Sequence, residues 1–333
     1  MTGGLMARGS RAAAAIVSIV GLFSTETALA EPSVNDLAAR TELRPIETLT
    51  LSDQQFLTGD KNGKAVTIAG ELRIPRGVTG KMPAVVLLHG SGGVNGGNEL
   101  WAKHFNEMGI ASFVVDSFSA RGIVSTSADQ ALLGRLNMIL DAYRSHEMLA
   151  AHPRIDATRI AVMGFSRGGQ SALYSSMRRF QEMWSPRAVF ALHIPLYASC
   201  SATFIRDTDV TAPIRQHHGL ADDYVSIEPC RPYFERLRAA GRDAQLIGYP
   251  DAHHSYDNPF GPKTPTIVKG SQVTRCTLKE EAGGVVINVS TGQPFSYKDP
   301  CVQTDPHLGY NEAAAKATQK AVKDQLRAAF KLE

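Results

Sequence analysis

The chain has 333 residues, 43% hydrophobic and 20% charged, a balance that suits one globular domain with a sizeable core. Its formal net charge is only +3, and the basic residues are scattered with no aromatic-interleaved basic patch, so nucleic acid is not an expected partner. No internal repeat or low-complexity tract is present, which sets aside solenoid and disordered classes.

Arg8 and Arg11 precede an apolar run from Ala12 to Phe23, and Ala28-Leu29-Ala30 offers a small-x-small cleavage site. Residues 1–30 therefore read as a secretory signal peptide, and the apolar run is too short to span a bilayer. Cleavage after Ala30 gives a mature chain that starts at Glu31, is exported to a periplasmic or extracellular space, and carries no membrane span. The four cysteines suit such an oxidising compartment. They allow three connectivities. Position favours Cys200 with Cys230, both just after core strands on the side where active-site loops gather, and Cys276 with Cys301, which bracket one excursion. No C-x-x-C or H-E-x-x-H spacing occurs, and His217-His218 and His253-His254 are adjacent pairs without helical spacing. Neither a metal nor a cofactor is expected.

Short apolar runs then alternate with amphipathic segments, the pattern of parallel βαβ units. Residues 31–60 are expected to drape over the surface as an extension, with a single domain from 61 to 333. Val66 to Ile74 reads as early antiparallel strand. Core strands are expected at Ala84–Leu88, Ala111–Val115, Ile160–Met163, Val189–Ile194, Ile214–His217 and Gln245–Tyr249, and helices at 128–151, 170–179 and 229–240. Segments 94–100, 117–130 and 196–210 read as loops. Asp116 and Arg121 cap the second core strand and pin the loop after it. Residues 259–306, with Pro259, Pro262 and Pro265 and the strand-like Val285–Val289, read as a hairpin-bearing insertion held by a disulfide. A last helix is expected from Asn311 to Phe330. Asn288-Val289-Ser290 matches a glycosylation sequon by pattern.

The chemistry is concentrated at Gly164-Phe165-Ser166-Arg167-Gly168, where an apolar strand turns into a helix-prone stretch. A G-x-S-x-G turn this tight forces its central residue into strained backbone angles and leaves no room for side chains two positions either side. Ser166 thus reads as a nucleophile. An acid and a histidine should follow it in that order. The acid comes from Asp222-Asp223, after the strand at 214–217; Asp222 is the better placed, and Asp223 stays open because neighbouring carboxylates at a strand end point different ways. The histidine is His253 or His254, in the loop after the strand at 245–249.

Several segments together resemble the dienelactone hydrolase family of α/β-hydrolases, over roughly residues 60 to 260. They are Leu87-Leu88-His89-Gly90-Ser91-Gly92-Gly93, Val114 to Gly122, the elbow from Gly164 to Gly169, the turn from Gly219 to Val225, and Tyr249-Pro250-Asp251-Ala252-His253-His254-Ser255-Tyr256. The resemblance implies a mostly parallel sheet with helices on both faces and favours His254 over His253. It implies two-step acyl transfer by Ser166, His254 and Asp222, with an oxyanion held by the N–H groups of Arg167 and Ser91. His89 would be structural. The family's eponymous enzymes usually carry cysteine where this chain has Ser166. The expected function is an exported serine hydrolase of small esters or lactones, with water as acyl acceptor. A peptidase or amidase, or a non-catalytic binding protein, would be the alternative on this fold.

Overall fold

The computed structural model describes residues 1–4 and 40–332. The expected signal peptide lies outside the described residues apart from its first four positions. Residues 40–332 fall within one compact unit. It is built around strands β1 (Arg40–Thr50), β2 (Lys64–Ile74), β3 (Met82–Leu88), β4 (Ala111–Asp116), β5 (Ile155–Phe165), β6 (His193–Leu196), β7 (Ala202–Thr203), β8 (Ile214–Gly219) and β9 (Ala244–Tyr249). All but β7 form one eight-stranded sheet in the order β1-β2-β4-β3-β5-β6-β8-β9. Only β2 runs against its neighbours; from β4 to β9 every pairing is parallel.

Strands buried on both faces carry unbroken apolar runs, and β3 is buried at all seven of its residues. Alternate side chains then serve opposite layers. Val85 and Leu87 join Trp101 and Phe105 of α2 (Gly96–Glu107) and Val322, Leu326 and Phe330 of α7 (Glu312–Phe330). Ala84, Val86 and Leu88 join the other layer, with Ile139, Leu140 and Tyr143 of α3 (Asn137–Ala150) and Tyr233, Phe234 and Leu237 of α6 (Cys230–Ala239). The molecule is therefore the α/β fold expected, with helices on both faces.

Several boundaries differ from the expectation. Residues 40–50 do not drape over the surface: they form the edge strand β1, in register with β2 from Arg40↔Ile74 to Thr50↔Lys64, followed by α1 (Asp53–Thr58). Pro45 is tolerated because an edge strand needs partners on one side only. Segment 94–100 is no loop; Asn95 caps α2 by accepting from Gly97 N–H, so Gly96 and Gly97 open a helix. The strand expected at Val189–Ile194 starts at His193, because Phe190 packs between Tyr143 and His146 before the chain enters the sheet. The helix expected over 128–151 begins at Asn137. The one expected over 170–179 is two helices, α4 (Arg167–Tyr174) and α5 (Arg178–Trp184).

The late insertion carries short strands β10 (Thr266–Ile267), β11 (Gln272–Thr274), β12 (Leu278–Glu281), β13 (Val285–Asn288), β14 (Gln293–Pro294), β15 (Val302–Thr304) and β16 (His307–Leu308). β12 and β13 form a hairpin, and β12 also pairs with β7, stitching the insertion to the main domain. The Arg179 guanidinium grips the buried Glu280 carboxylate through two 2.7 Å hydrogen bonds. Cys200 is bonded to Cys230 and Cys276 to Cys301. Asn288 is only 1% exposed and its amide donates to Asp299 Oδ2 at 2.9 Å, so the sequon has no surface for a glycan.

Candidate active site

The parallel register brings five strand ends to one edge. Leu88 pairs with Gly164, Phe165 with Leu196, and Gly219 with Tyr249, so the residues after them gather in the crevice outside the carboxyl ends. Ser166 lies there with φ 53° and ψ −111°, a left-handed backbone that an L-residue adopts only at a cost. The elbow holds it because glycines let the chain close on itself. A Cβ on Gly164 would stand 2.1 Å from the carbonyl oxygen of Gly168, and one on Gly168 would stand 2.3 Å from that of Leu88.

Asp222 and His254 meet across 32 residues: His254 Nδ1 donates to Asp222 Oδ2 at 2.7 Å, both side chains being buried. Because the carboxylate can only accept, the proton sits on Nδ1 and Nε2 is left as the acceptor. The second oxygen, Oδ1, accepts from the N–H groups of Tyr224 and Val225 at 2.9 and 2.8 Å, which fixes the carboxylate plane. The rings of Tyr197 and Tyr224 flank the imidazole, each 4.6 Å from it between centroids. Tyr197 is itself tethered, donating its hydroxyl to Asp257 Oδ1, while Trp101 donates to Oδ2. Burial pushes the Asp257 carboxyl and the Tyr197 phenol above their ordinary values.

The neighbouring candidates have other partners. Asp223 accepts from His307 Nδ1 at 2.7 Å and from His307 N–H at 3.0 Å, tying its turn to β16 of the insertion. His253 turns away from Asp222, its ring 6.2 Å from that of His307. His89 spans the loop it begins, bonding Gly90 O through Nδ1 and accepting from Ser117 N–H through Nε2, and burial holds it below the usual histidine range. Asp116 accepts from Phe118 and Ser119 N–H, while Arg121 forms a buried pair with Asp141.

Two cavities open from this point, both lined by Ser91, Ser166 and Tyr224. One, of about 200 Å³, contains His254, Tyr197 and Asp257. The other, of about 330 Å³, runs along Arg167, Arg135 and Gln130 and is roofed by Gln272, Arg275 and Tyr297 of the insertion. Among the aromatics visible in the sequence, Phe165, Tyr197 and Tyr224 face these spaces, whereas Phe118, Trp184 and Phe204 are core. Gln130 and Tyr297 carried no sequence signal, since neither belongs to a motif and both reach the site only through distant contacts. The chain's match to the model of the dienelactone hydrolase family runs over residues 68–330.

The protein belongs to the dienelactone hydrolase family.

Solved structures agree on the fold. A dienelactone hydrolase-like promiscuous phosphotriesterase from metagenomic libraries is 17% identical, with a TM-score of 0.56 over 87% of this chain and 99% of that one. A putative dienelactone hydrolase from Klebsiella pneumoniae is 15% identical, with a TM-score of 0.55 over 86% and 98%. Thermogutta terrifontis esterase 2, phosphoramylated by tabun, is 13% identical, with a TM-score of 0.55 over 88% and 95%. No curated protein matches the chain. Its family membership makes this chain a dienelactone hydrolase-like hydrolase, and among its described residues no helix is long and apolar enough to cross a membrane.

Proposed function

We propose that this dienelactone hydrolase family member is an exported serine hydrolase that cleaves small carboxylic esters or lactones. One observation carries the reading: Ser166 stands on a strained elbow in the same cavity as His254, whose Nδ1 is held 2.7 Å from buried Asp222. His254 Nε2 takes the hydroxyl proton as Ser166 attacks the carbonyl, then delivers it to the departing alcohol oxygen. Asp222 keeps the imidazole tautomer and stabilises the cation formed in passing. The oxyanion is held by the N–H of Arg167, which as the first residue of a helix has no intrahelical partner, and by that of Ser91 on the facing loop. Water repeats the cycle on the acyl-enzyme and releases the acid. Export is supported by the leader-like N-terminus and by the two disulfides.

Intact mass after exposure to a fluorophosphonate tests the reading. One adduct on the mature protein, absent from a Ser166→Ala variant, is expected, followed by turnover of short p-nitrophenyl esters. A folded wild type that takes up no adduct overturns it.

A further inference from the structure

We infer that Gln130 is a positioning residue that holds the two halves of the oxyanion hole in register, and that Gln272 of the insertion holds Gln130. The inference rests on the serine hydrolase reading above. Ser91 and Arg167 belong to separate strand ends, and their N–H groups must converge on one oxygen. The Gln130 carboxamide bridges them. Its Oε1 accepts from Arg167 Nη1 at 2.6 Å, and its Nε2 donates to Ser91 Oγ at 3.0 Å. This orientation is forced, because a guanidinium only donates and so turns the amide oxygen toward itself.

Both bridged residues have little other freedom. Arg167 is buried, and its remaining hydrogen bonds go to the carbonyls of Gln130, Leu133 and Gly134 and to Thr126 Oγ1. Its Nε is buried without a partner. Ser91 O in turn accepts from Thr126 N–H at 2.8 Å and from Ser125 Oγ at 3.0 Å. Segment 125–134 thus grips both oxyanion residues, and the amide of Gln130 is its one side chain that touches both. That segment is itself seated by the insertion: Gln272 Oε1 accepts from Gln130 N–H at 2.9 Å, and Gln272 N–H donates to Ser127 O at 2.8 Å. Correct seating of the insertion is thereby transmitted to the place where charge develops in the transition state.

The test uses the full mature protein and a short p-nitrophenyl ester. Gln130→Met keeps the volume and deletes the bridge. It is expected to lower kcat about ten- to a hundredfold, the scale of an ångström-sized misplacement, with KM changed less than about threefold. Affinity for a boronic acid that mimics the tetrahedral intermediate should fall in step with kcat/KM, which a loss of folded protein alone would not produce. Ser91→Ala removes the other end of the bridge while keeping the backbone donor, and the double variant should be no slower than Gln130→Met alone. Gln272→Ala is expected to show the same kcat-weighted loss to a smaller degree. Gln130→Met at wild-type kcat, or losses from Gln130→Met and Ser91→Ala that multiply, overturns the inference. Failure of the underlying reading shows separately, as a wild type with no fluorophosphonate adduct.

Discussion

Replacing Asp222 by asparagine is the sharpest probe of the acid, because the geometry around that one side chain decides which tautomer His254 adopts. Oδ1 receives two backbone N–H groups and Oδ2 receives His254 Nδ1–H. Asparagine must give its oxygen to one of these sides. If the oxygen faces His254, the amide NH₂ confronts the N–H groups of Tyr224 and Val225, leaving two donors unpaired at about 1–3 kcal/mol each. The opposite orientation is therefore favoured by about 2–6 kcal/mol. It points NH₂ at His254 Nδ1 and drives the proton to Nε2, where the imidazole can no longer accept from Ser166. Only a fraction of about 1/30 to 1/10,000 stays competent, so turnover of a p-nitrophenyl ester should fall by about the same factor. Thermal unfolding should barely change. Asp223→Asn, at a half-exposed pair with His307, should cost less than about threefold. A folded Asp222→Asn enzyme within tenfold of wild type, or a larger loss from Asp223→Asn, refutes the reasoning.

Three other outcomes follow from the structure. Burial holds His146, His193 and His217 at pKa values of about 4, so each stays neutral in the fold while the unfolded chain takes up protons near pH 6.5. Their contribution is complete above that pH and is lost as pH falls toward 4, on the order of 3 kcal/mol each; urea midpoints at pH 7.5, 5.5 and 4.5 should decline steadily, and a flat series would contradict this. Gly164→Ala should yield no active soluble enzyme, since its methyl would sit 2.1 Å from the Gly168 carbonyl; ester turnover at wild-type level in that variant would mean the elbow is built differently. The Cys276–Cys301 bond closes a separation of 25 residues inside the insertion, worth about 3–4 kcal/mol of chain entropy. Its reduction should therefore expose residues 259–308 to limited proteolysis before the main domain unfolds, and simultaneous cleavage of both parts would argue against that order.

How far the chain could be read in advance depended on whether a constraint was local. The elbow was legible because glycine is demanded at fixed offsets from the serine, and β3 because a doubly covered strand must be apolar throughout. β1 was hidden by Pro45 and by charged residues on its open side, features that suit an edge but look like loop. α2 was hidden by its opening glycines, which only the cap at Asn95 makes helical. β6 was displaced because His193 and Pro195 look unlike strand residues, yet the sheet's backbone pairing accepts them. The bridge through Gln130 could not be seen at all, since glutamines in a loop acquire meaning only from partners 37 and 39 residues away.

The turn that bears Asp222 and Asp223 serves two masters. Leu220 N–H bonds Tyr249 O, Ala221 N–H bonds Ala252 O, and Asp222 N–H bonds Gly219 O, so each position in it is assigned a place by the backbone. The first carboxylate then faces inward to His254 and the second outward to His307. Adding or removing one residue between Gly219 and Asp222 would exchange these destinations, sending the inner histidine a solvent-facing neighbour and the outer one a buried acid. Most surface turns absorb such a change in length with little harm. Here a slip of one peptide would silence the enzyme and unlatch its insertion together, although every residue of both pairs would still be present in the chain.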